Sequence, residues 1–213
     1  MTVCEAGHVN PTIDHLIVCV GDLDNAARNF KNRLGLSSIE GGRHPGHGTA
    51  NRIIPLGGCY IELLAVVDPS EAKDSAFGNW AIGRTKTARG VDAVCIRTDD
   101  LAAVCTRLGL EPTAMSRRRP DGTELKWSTA GLDLAIENSL PFFIEWHVAE
   151  DQMPGRSQVI HDREVNGIEE IVLSGDTARL AKWTENVPAI RIVEGHSSIV
   201  SVSLATPEGP LNL

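Results

Sequence analysis

Ile13-Asp14-His15-Leu16-Ile17-Val18-Cys19-Val20-Gly21-Asp22-Leu23 is matched 78 positions later by Val91-Asp92-Ala93-Val94-Cys95-Ile96-Arg97-Thr98-Asp99-Asp100-Leu101. Each copy carries an aspartate second, then the branched-aliphatic run of a buried strand, then an Asp-Leu pair suited to start a helix. The likeness is one of architecture more than of letters, which is the mark of an internal duplication. One difference matters for chemistry: His15 of the first copy is Ala93 in the second.

Outward from the first copy, Leu23, Ala26, Ala27, Phe30 and Leu34 recur at helical spacing, so a helix is expected over 23–34, capped by Asp22 and stopped by Gly35. Strands are expected over 37–40, 49–56 and 59–66, the last two joined by Gly57-Gly58. The second copy predicts a helix over 101–108 ending in Leu108-Gly109-Leu110, as the first ends in Leu34-Gly35-Leu36. It is four residues shorter, about one helical turn, so the same face stays toward the core. Strands on either side of the 117–122 loop, at 125–129, 132–137 and 141–146 complete the second unit, with Asp121-Gly122 at a turn tip. Phe143-Ile144-Glu145 reads as the counterpart of Tyr60-Ile61-Glu62.

The expected organisation is α+β, with tandem βαβββ modules at 12–68 and 90–147. A leader covers 1–11, and a connector covers 69–89 with an amphipathic piece near Phe77 and Trp80. A polar linker or lid spans 148–166. A partial third module over 167–213 has a strand at 168–173, a helix at 177–183 capped by Asp176, and a strand at 199–204.

The chain has 213 residues, 42% of them hydrophobic, enough to bury a sizeable core. A formal charge of −8 disfavours nucleic acid and anionic membranes as partners and leaves a small molecule. No apolar run approaches the ~20 residues needed to cross a bilayer, and the start lacks a signal-peptide pattern, so a cytoplasmic location is expected. The five cysteines form no CxxC pair; Cys19, Cys59 and Cys95 sit in apolar runs and are expected to pack as small hydrophobes.

A strand, a helix and three strands in tandem, with His in the first strand and Glu in the fourth, resembles the vicinal oxygen chelate superfamily of glyoxalase I, extradiol dioxygenases and bleomycin-type resistance proteins. Asp14-His15-Leu16, the run from Gly42 to Asn51, Tyr60-Ile61-Glu62-Leu63, Arg119-Pro120-Asp121-Gly122 and Pro141 to Trp146 are similar to the glyoxalase-like domain family in particular. The resemblance implies two modules whose curved sheets form an open, barrel-like cleft. It also implies metal ligands on the first and fourth strands of each module, at His15, Glu62, Ala93 and Glu145. Ala93 cannot ligate, so the implied set is His15, Glu62 and Glu145, with N and O donors that suit Mn, Fe(II), Ni, Co or Zn better than Ca. The implied chemistry is that of a lyase or isomerase on a small oxygenated molecule bound through vicinal oxygens, with Glu62 and Glu145 as proton carriers. The alternative is a metal-free binding or sequestering protein of the same fold, and a third reading is a cleft serving only association. A homodimer is a further expectation of the resemblance.

Each candidate has a competing structural reading. A histidine in an apolar strand is commonly a satisfied core residue, whereas a buried glutamate is costly unless paired, by Arg52 or Arg97 for instance, or bound to a metal. His44 and His47 lie among glycines that permit close approach of a ligand, and also suit a plain turn. His47 and Asn51 are the residues chosen there for substrate binding. Arg117, Arg118 and Arg119 suit a carboxylate or phosphate, or simply a solvated hairpin, with Arg119 chosen as the substrate contact. Trp80, Trp127 and Trp146 line either cleft or core, with Trp127 chosen for the cleft.

Overall fold

A computed structural model describes residues 11–86, 90–119, 121–185 and 187–213. Most of the expected leader, residues 87–89 of the connector, and Pro120 lie outside them.

The first module runs β1 (Thr12–Cys19), α1 (Leu23–Leu34), β2 (Ile39–His44), β3 (Thr49–Pro55) and β4 (Tyr60–Val66). Asp22 caps α1 by accepting from Asn25 N, and Gly35 ends it at φ 74°, a left-handed position that suits glycine. Two helices follow, α2 (Pro69–Lys73) and α3 (Ala76–Arg84), where the sequence predicts one amphipathic piece. The second module has β5 (Ala93–Arg97), α4 (Leu101–Leu108), β6 (Thr113–Arg118), β7 (Glu124–Ala130), α5 (Leu132–Asn138) and β8 (Phe142–Trp146).

All eight strands form one sheet in the order β2-β3-β4-β1-β5-β8-β7-β6. At its centre β1 and β5 pair antiparallel, with His15 opposite Cys95 and Ile17 opposite Ala93. Each pair is the image of the other under the 78-residue offset, so the duplication read in the sequence is a pseudo-twofold of the fold. The two edges come round toward each other, and Arg117 of β6 donates to the Gly41 carbonyl of β2. The sheet is thereby nearly closed into a barrel.

Alternation sorts the side chains. Leu16, Ile61, Leu63, Val94, Ile96 and Phe143 face outward into the main core under the helices. Ile17, Leu64, Ala93, Cys95, Trp127, Phe142 and Ile144 face inward, joined by Ala81 of α3 and Ala135 of α5.

Two expectations are corrected. The 132–137 segment is helix, not strand: Leu132, Ala135 and Ile136 follow helical spacing, and Gly131 turns the chain into it at φ 78°. The short 37–40 strand instead runs to His44, through a Gly-Gly bulge that disguises it.

The last strands form a separate four-stranded sheet, β10-β9-β11-β12, from β9 (Ile168–Gly175), α6 (Thr177–Thr184), β10 (Ile190–Glu194), β11 (Ser198–Leu204) and β12 (Leu211–Asn212). The element order is that of a module but the pairing is not. β9 lies parallel to β10 across α6, whereas β1 lies parallel to β4, the last strand of its unit. The 148–166 segment is strapped down: His161 accepts from Ser37 N at 3.0 Å and donates to Pro55 O at 2.8 Å.

Candidate active site

Inside the barrel is a cavity of about 70 Å³, several times the ~10–15 Å³ that one enclosed water needs. His15, Tyr60, Glu62, His44 and Asn51 line it from the first module, with Phe77 of α3 beside His44, while Met115, Arg117 and Trp127 come from β6 and β7, and Phe142, Ile144 and Trp146 from β8.

The polar floor is assembled by a strand irregularity. A bulge between Ile13 and His15 inserts Asp14 into β1 as an extra residue. Adjacent side chains of a regular strand point to opposite faces, and a bulge re-aims them. Asp14 Oδ1 lies 2.7 Å from His15 Nδ1, and its Oδ2 accepts from Trp146 Nε1 at 2.9 Å. Arg97 stands 4.0 Å behind the same carboxylate. With Nδ1–H given to Asp14, His15 keeps a lone pair on Nε2, which lies 3.6 Å from Glu62 Oε2. The ring is held between Tyr60, stacked at 4.6 Å, and the edge of Phe142 at 5.5 Å.

Glu62 is 6% exposed, and Asn51 Nδ2 donates to its Oε1 at 2.6 Å. His44 Nε2 is 3.3 Å from the same amide and 3.7 Å from Glu62 Oε1, while its Nδ1 meets Thr49 Oγ1 at 3.0 Å. Burial pushes the His44 pKa down to about 4, so the ring is neutral at pH 7. Asn51 Oδ1 is buried without a partner and lies against Gly41, where a Cβ would stand 2.0 Å away.

The expected residues divide as follows. His15, Glu62, Asn51, His47 and Trp127 line the cavity. His47 stands at its rim, paired with Ser75 Oγ at 2.7 Å. Arg119 does not enter: its guanidinium reaches the Gln152 carbonyl on the exposed surface. Glu145 does not enter either. It lies on the face of β8 opposite Ile144 and Trp146, and accepts from Leu101 N at the start of α4 at 3.2 Å. The aromatic-Ile-Glu alignment is thus out of register. Ile17 pairs with Glu62, and Cys95, the counterpart of Ile17, pairs with Phe142. The structural equivalent of Glu62 is therefore Phe142, three residues before Glu145, and an odd displacement changes face.

Three residues singled out less clearly by the sequence join the site: Asp14, His44 and Arg117. The inward period of β6, Met115 then Arg117, was available as a signal. Nothing in the sequence marks the bulge that turns Asp14 toward His15.

The donors present do not fit the four-ligand metal centre that the resemblance implies. His15 and Glu62 occupy the first-module positions, while Ala93 and Phe142, both buried hydrocarbon, occupy those of the second. His44 Nε2 is already engaged by Asn51. Asp14, His15 and Cys95 do bring three donor atoms within 4.8 Å of one another. The first two are hydrogen-bonded together, however, and burial raises the Cys95 thiol pKa well above its usual value.

Paired modules sharing one sheet around a buried His and Glu define a protein with the architecture of the vicinal oxygen chelate superfamily. The model of the glyoxalase-like domain family matches residues 13–187, and the chain belongs to that family. Among solved structures, a hypothetical protein from Staphylococcus aureus is similar at 21% identity and a TM-score of 0.64, over 95% of this chain and 84% of that one. At that identity the likeness extends to the fold alone. Methylmalonyl-CoA epimerase from Mycobacterium tuberculosis is similar over 65% of this chain and 88% of its own, at 21% identity and a TM-score of 0.46. A variant of the Streptomyces coelicolor epimerase, in complex with 2-nitronate-propionyl-CoA, is similar over 64% of this chain and 98% of its own, at 20% identity and a TM-score of 0.47. At those TM-scores neither epimerase bears on function here. Comparison with curated protein sequences finds no match. Among the described residues no helix is long and apolar enough to cross a membrane.

Proposed function

We propose that this chain is an enzyme of isomerase or lyase type that moves a proton on a small oxygenated substrate held in the barrel cavity. The observation that carries the reading is the buried line Asp14–His15–Glu62, with contacts of 2.7 and 3.6 Å, ending in a cavity.

Glu62 Oε2 faces His15 Nε2 and is placed to take a proton from a carbon beside a carbonyl. The C–H electron pair moves onto the carbonyl oxygen as an enolate forms. Asn51 holds the other carboxylate oxygen, so Glu62 is aimed before substrate arrives. The proton passes to His15 Nε2, and the imidazolium is stabilised by Asp14 on its far side. His15 then returns the proton to another atom of the substrate for an isomerase. In a lyase the enolate pair instead expels a leaving group. The apolar wall of Ile17, Phe142 and Ile144 limits water around the transfer.

The reading is tested by following exchange of carbon-bound hydrogen for deuterium in D2O by NMR, over a panel of small hydroxyketones, 2-oxo acids and 2-oxoaldehydes. Exchange that depends on the wild-type protein and drops at least ~100-fold in Glu62→Gln is expected, the range of a general base. Tight binding with no exchange for any compound overturns it in favour of a sequestering protein.

A further inference from the structure

Arg117 is a charged cleft residue that the proton transfer above leaves without a task. It is 6% exposed, and its strand alternation points it into the cavity. Its one side-chain hydrogen bond among the described residues runs from Nη1 to the Gly41 carbonyl, which leaves Nε and Nη2 for a ligand. Among the described residues no carboxylate lies within 4.0 Å of it. A guanidinium stays charged when buried, and a buried charge without a counter-ion is costly. Burial, with the neighbouring Arg119, pulls against its charge, and Glu62 supports it from beyond ion-pair distance.

Beside this cation stands an aromatic wall. Met115 of β6 pairs with Trp127 of β7, and Arg117 with Leu125, so Arg117 and Trp127 are one inward step apart, ~7 Å along the strand direction. Trp127 pairs across β7 and β8 with Trp146, ring centroids 5.4 Å apart, and the Trp146 indole is fixed by Asp14. Phe77 lines the cavity beside His44 and His47.

We propose that the cleft selects a small monocarboxylic acid with a flat aromatic or unsaturated body, its carboxylate on Arg117 and its body against Trp127 and Trp146. The assignment rests on the proton-transfer reading for which atom reacts, but not for how the ligand is held. Guanidinium binds a carboxylate through two parallel N–H donors, a match that an ester or amide lacks. One cation, with the Glu62 carboxylate in the same cavity, balances a monoanion and not a phosphate dianion. The cavity of about 70 Å³ shares His47, Phe77, Met115, Thr129 and Leu132 with a neighbouring pocket of about 200 Å³, and the two together admit one ring and a short side chain.

The test is a tryptophan-fluorescence titration of the full chain at pH 7 with phenylacetate, methyl phenylacetate, acetate and phenyl phosphate. Phenylacetate is expected to bind at least tenfold more tightly than each of the other three. Arg117→Met should abolish the preference over the ester, Arg117→Lys should keep part of it, and Trp127→Phe should shrink the signal. Should Arg117→Met fail to fold, because it also ties β6 to β2, the comparison of acid with ester on the wild-type protein decides alone. Ester bound as tightly as acid, or phenyl phosphate bound more tightly, overturns the proposal. Glu62→Gln should keep or strengthen phenylacetate binding while losing deuterium exchange. Loss of the acid preference with exchange intact therefore removes this proposal only, and the reverse result removes only the reaction.

Discussion

The Asp14 carboxylate accepts from the Trp146 indole at 2.9 Å with one oxygen and meets His15 Nδ1 at 2.7 Å with the other, so the second module's last strand braces the first module's histidine. Replacing Asp14 with Asn preserves shape and an acceptor for Trp146, but turns an N–H toward His15 Nδ1. The ring must then carry its proton on Nε2 and lose the lone pair that faces Glu62. Asp14→Asn is expected to slow proton exchange at least ~100-fold, on the scale seen when a histidine's orienting carboxylate is removed. Nitrogen-15 shifts of the His15 ring report the tautomer directly. An unchanged tautomer with full activity would show that Asp14 serves packing alone.

His44 supplies a pH dependence of stability. Its pKa is lowered by burial to about 4 in the folded chain from an ordinary 6.5, so between these values the unfolded chain binds a proton that the folded chain refuses. Stability from this group is complete above pH 6.5 and is lost as pH falls toward 4. The loss between pH 7 and pH 4.5 is expected to be about 2–3 kcal/mol. Urea melts at the two pH values check it: His44→Gln should flatten the difference by about that amount.

The duplication made the paired modules legible, because β1 and β5 repeat an Asp, an apolar run and a capping Asp-Leu. The cavity was legible in part. His15, Glu62, Asn51, His47 and Trp127 follow inward alternation or a local motif, and they do line it. Glu145 was misplaced because three shared letters, aromatic-Ile-Glu, outweighed register, which depends on where β8 pairs with β5. Asp14 was hidden because a bulge leaves no signature in a strand of ordinary composition. The 132–138 helix was hidden because seven residues with Leu at 132 and 134 satisfy a two-residue period as well as a helical one.

Gly41 is required by its neighbour. A Cβ there would stand 2.0 Å from Asn51 Oδ1 and 3.1 Å from the Asn51 carbonyl. Asn51 is nearly buried and already holds Glu62, so it has little room to yield. Gly41→Ala is expected to cost about 1–3 kcal/mol from overpacking and to lower proton exchange as Glu62 loses its aim. Thermal melts and the exchange assay measure the two effects. A variant as stable and active as wild type would mean that β2 shifts freely.

Metal content follows from the donors. With hydrocarbon at Ala93 and Phe142, only His15 and Glu62 of the four implied positions can ligate. After dialysis against Mn, Ni, Zn and Fe(II) and then against metal-free buffer, well under one ion per chain is expected by elemental analysis. A full equivalent retained by wild type and lost in His15→Ala would restore a metal centre built on that histidine.

Two glutamates that look alike in sequence should behave differently. Glu145 accepts from Leu101 N where α4 begins, so its charge meets the positive end of a helix and not the cavity. Glu145→Gln keeps an acceptor and should cost no more than ~1 kcal/mol of stability, with exchange within about twofold of wild type, since no part of it reaches substrate. Glu62→Gln keeps an acceptor for Asn51 and hence the local fold, but has no basic oxygen opposite His15. Its exchange rate should fall at least ~100-fold at nearly unchanged melting temperature. Measured side by side, the pair tests register as well as chemistry: activity lost in Glu145→Gln and kept in Glu62→Gln would place the reacting face on the other side of β8.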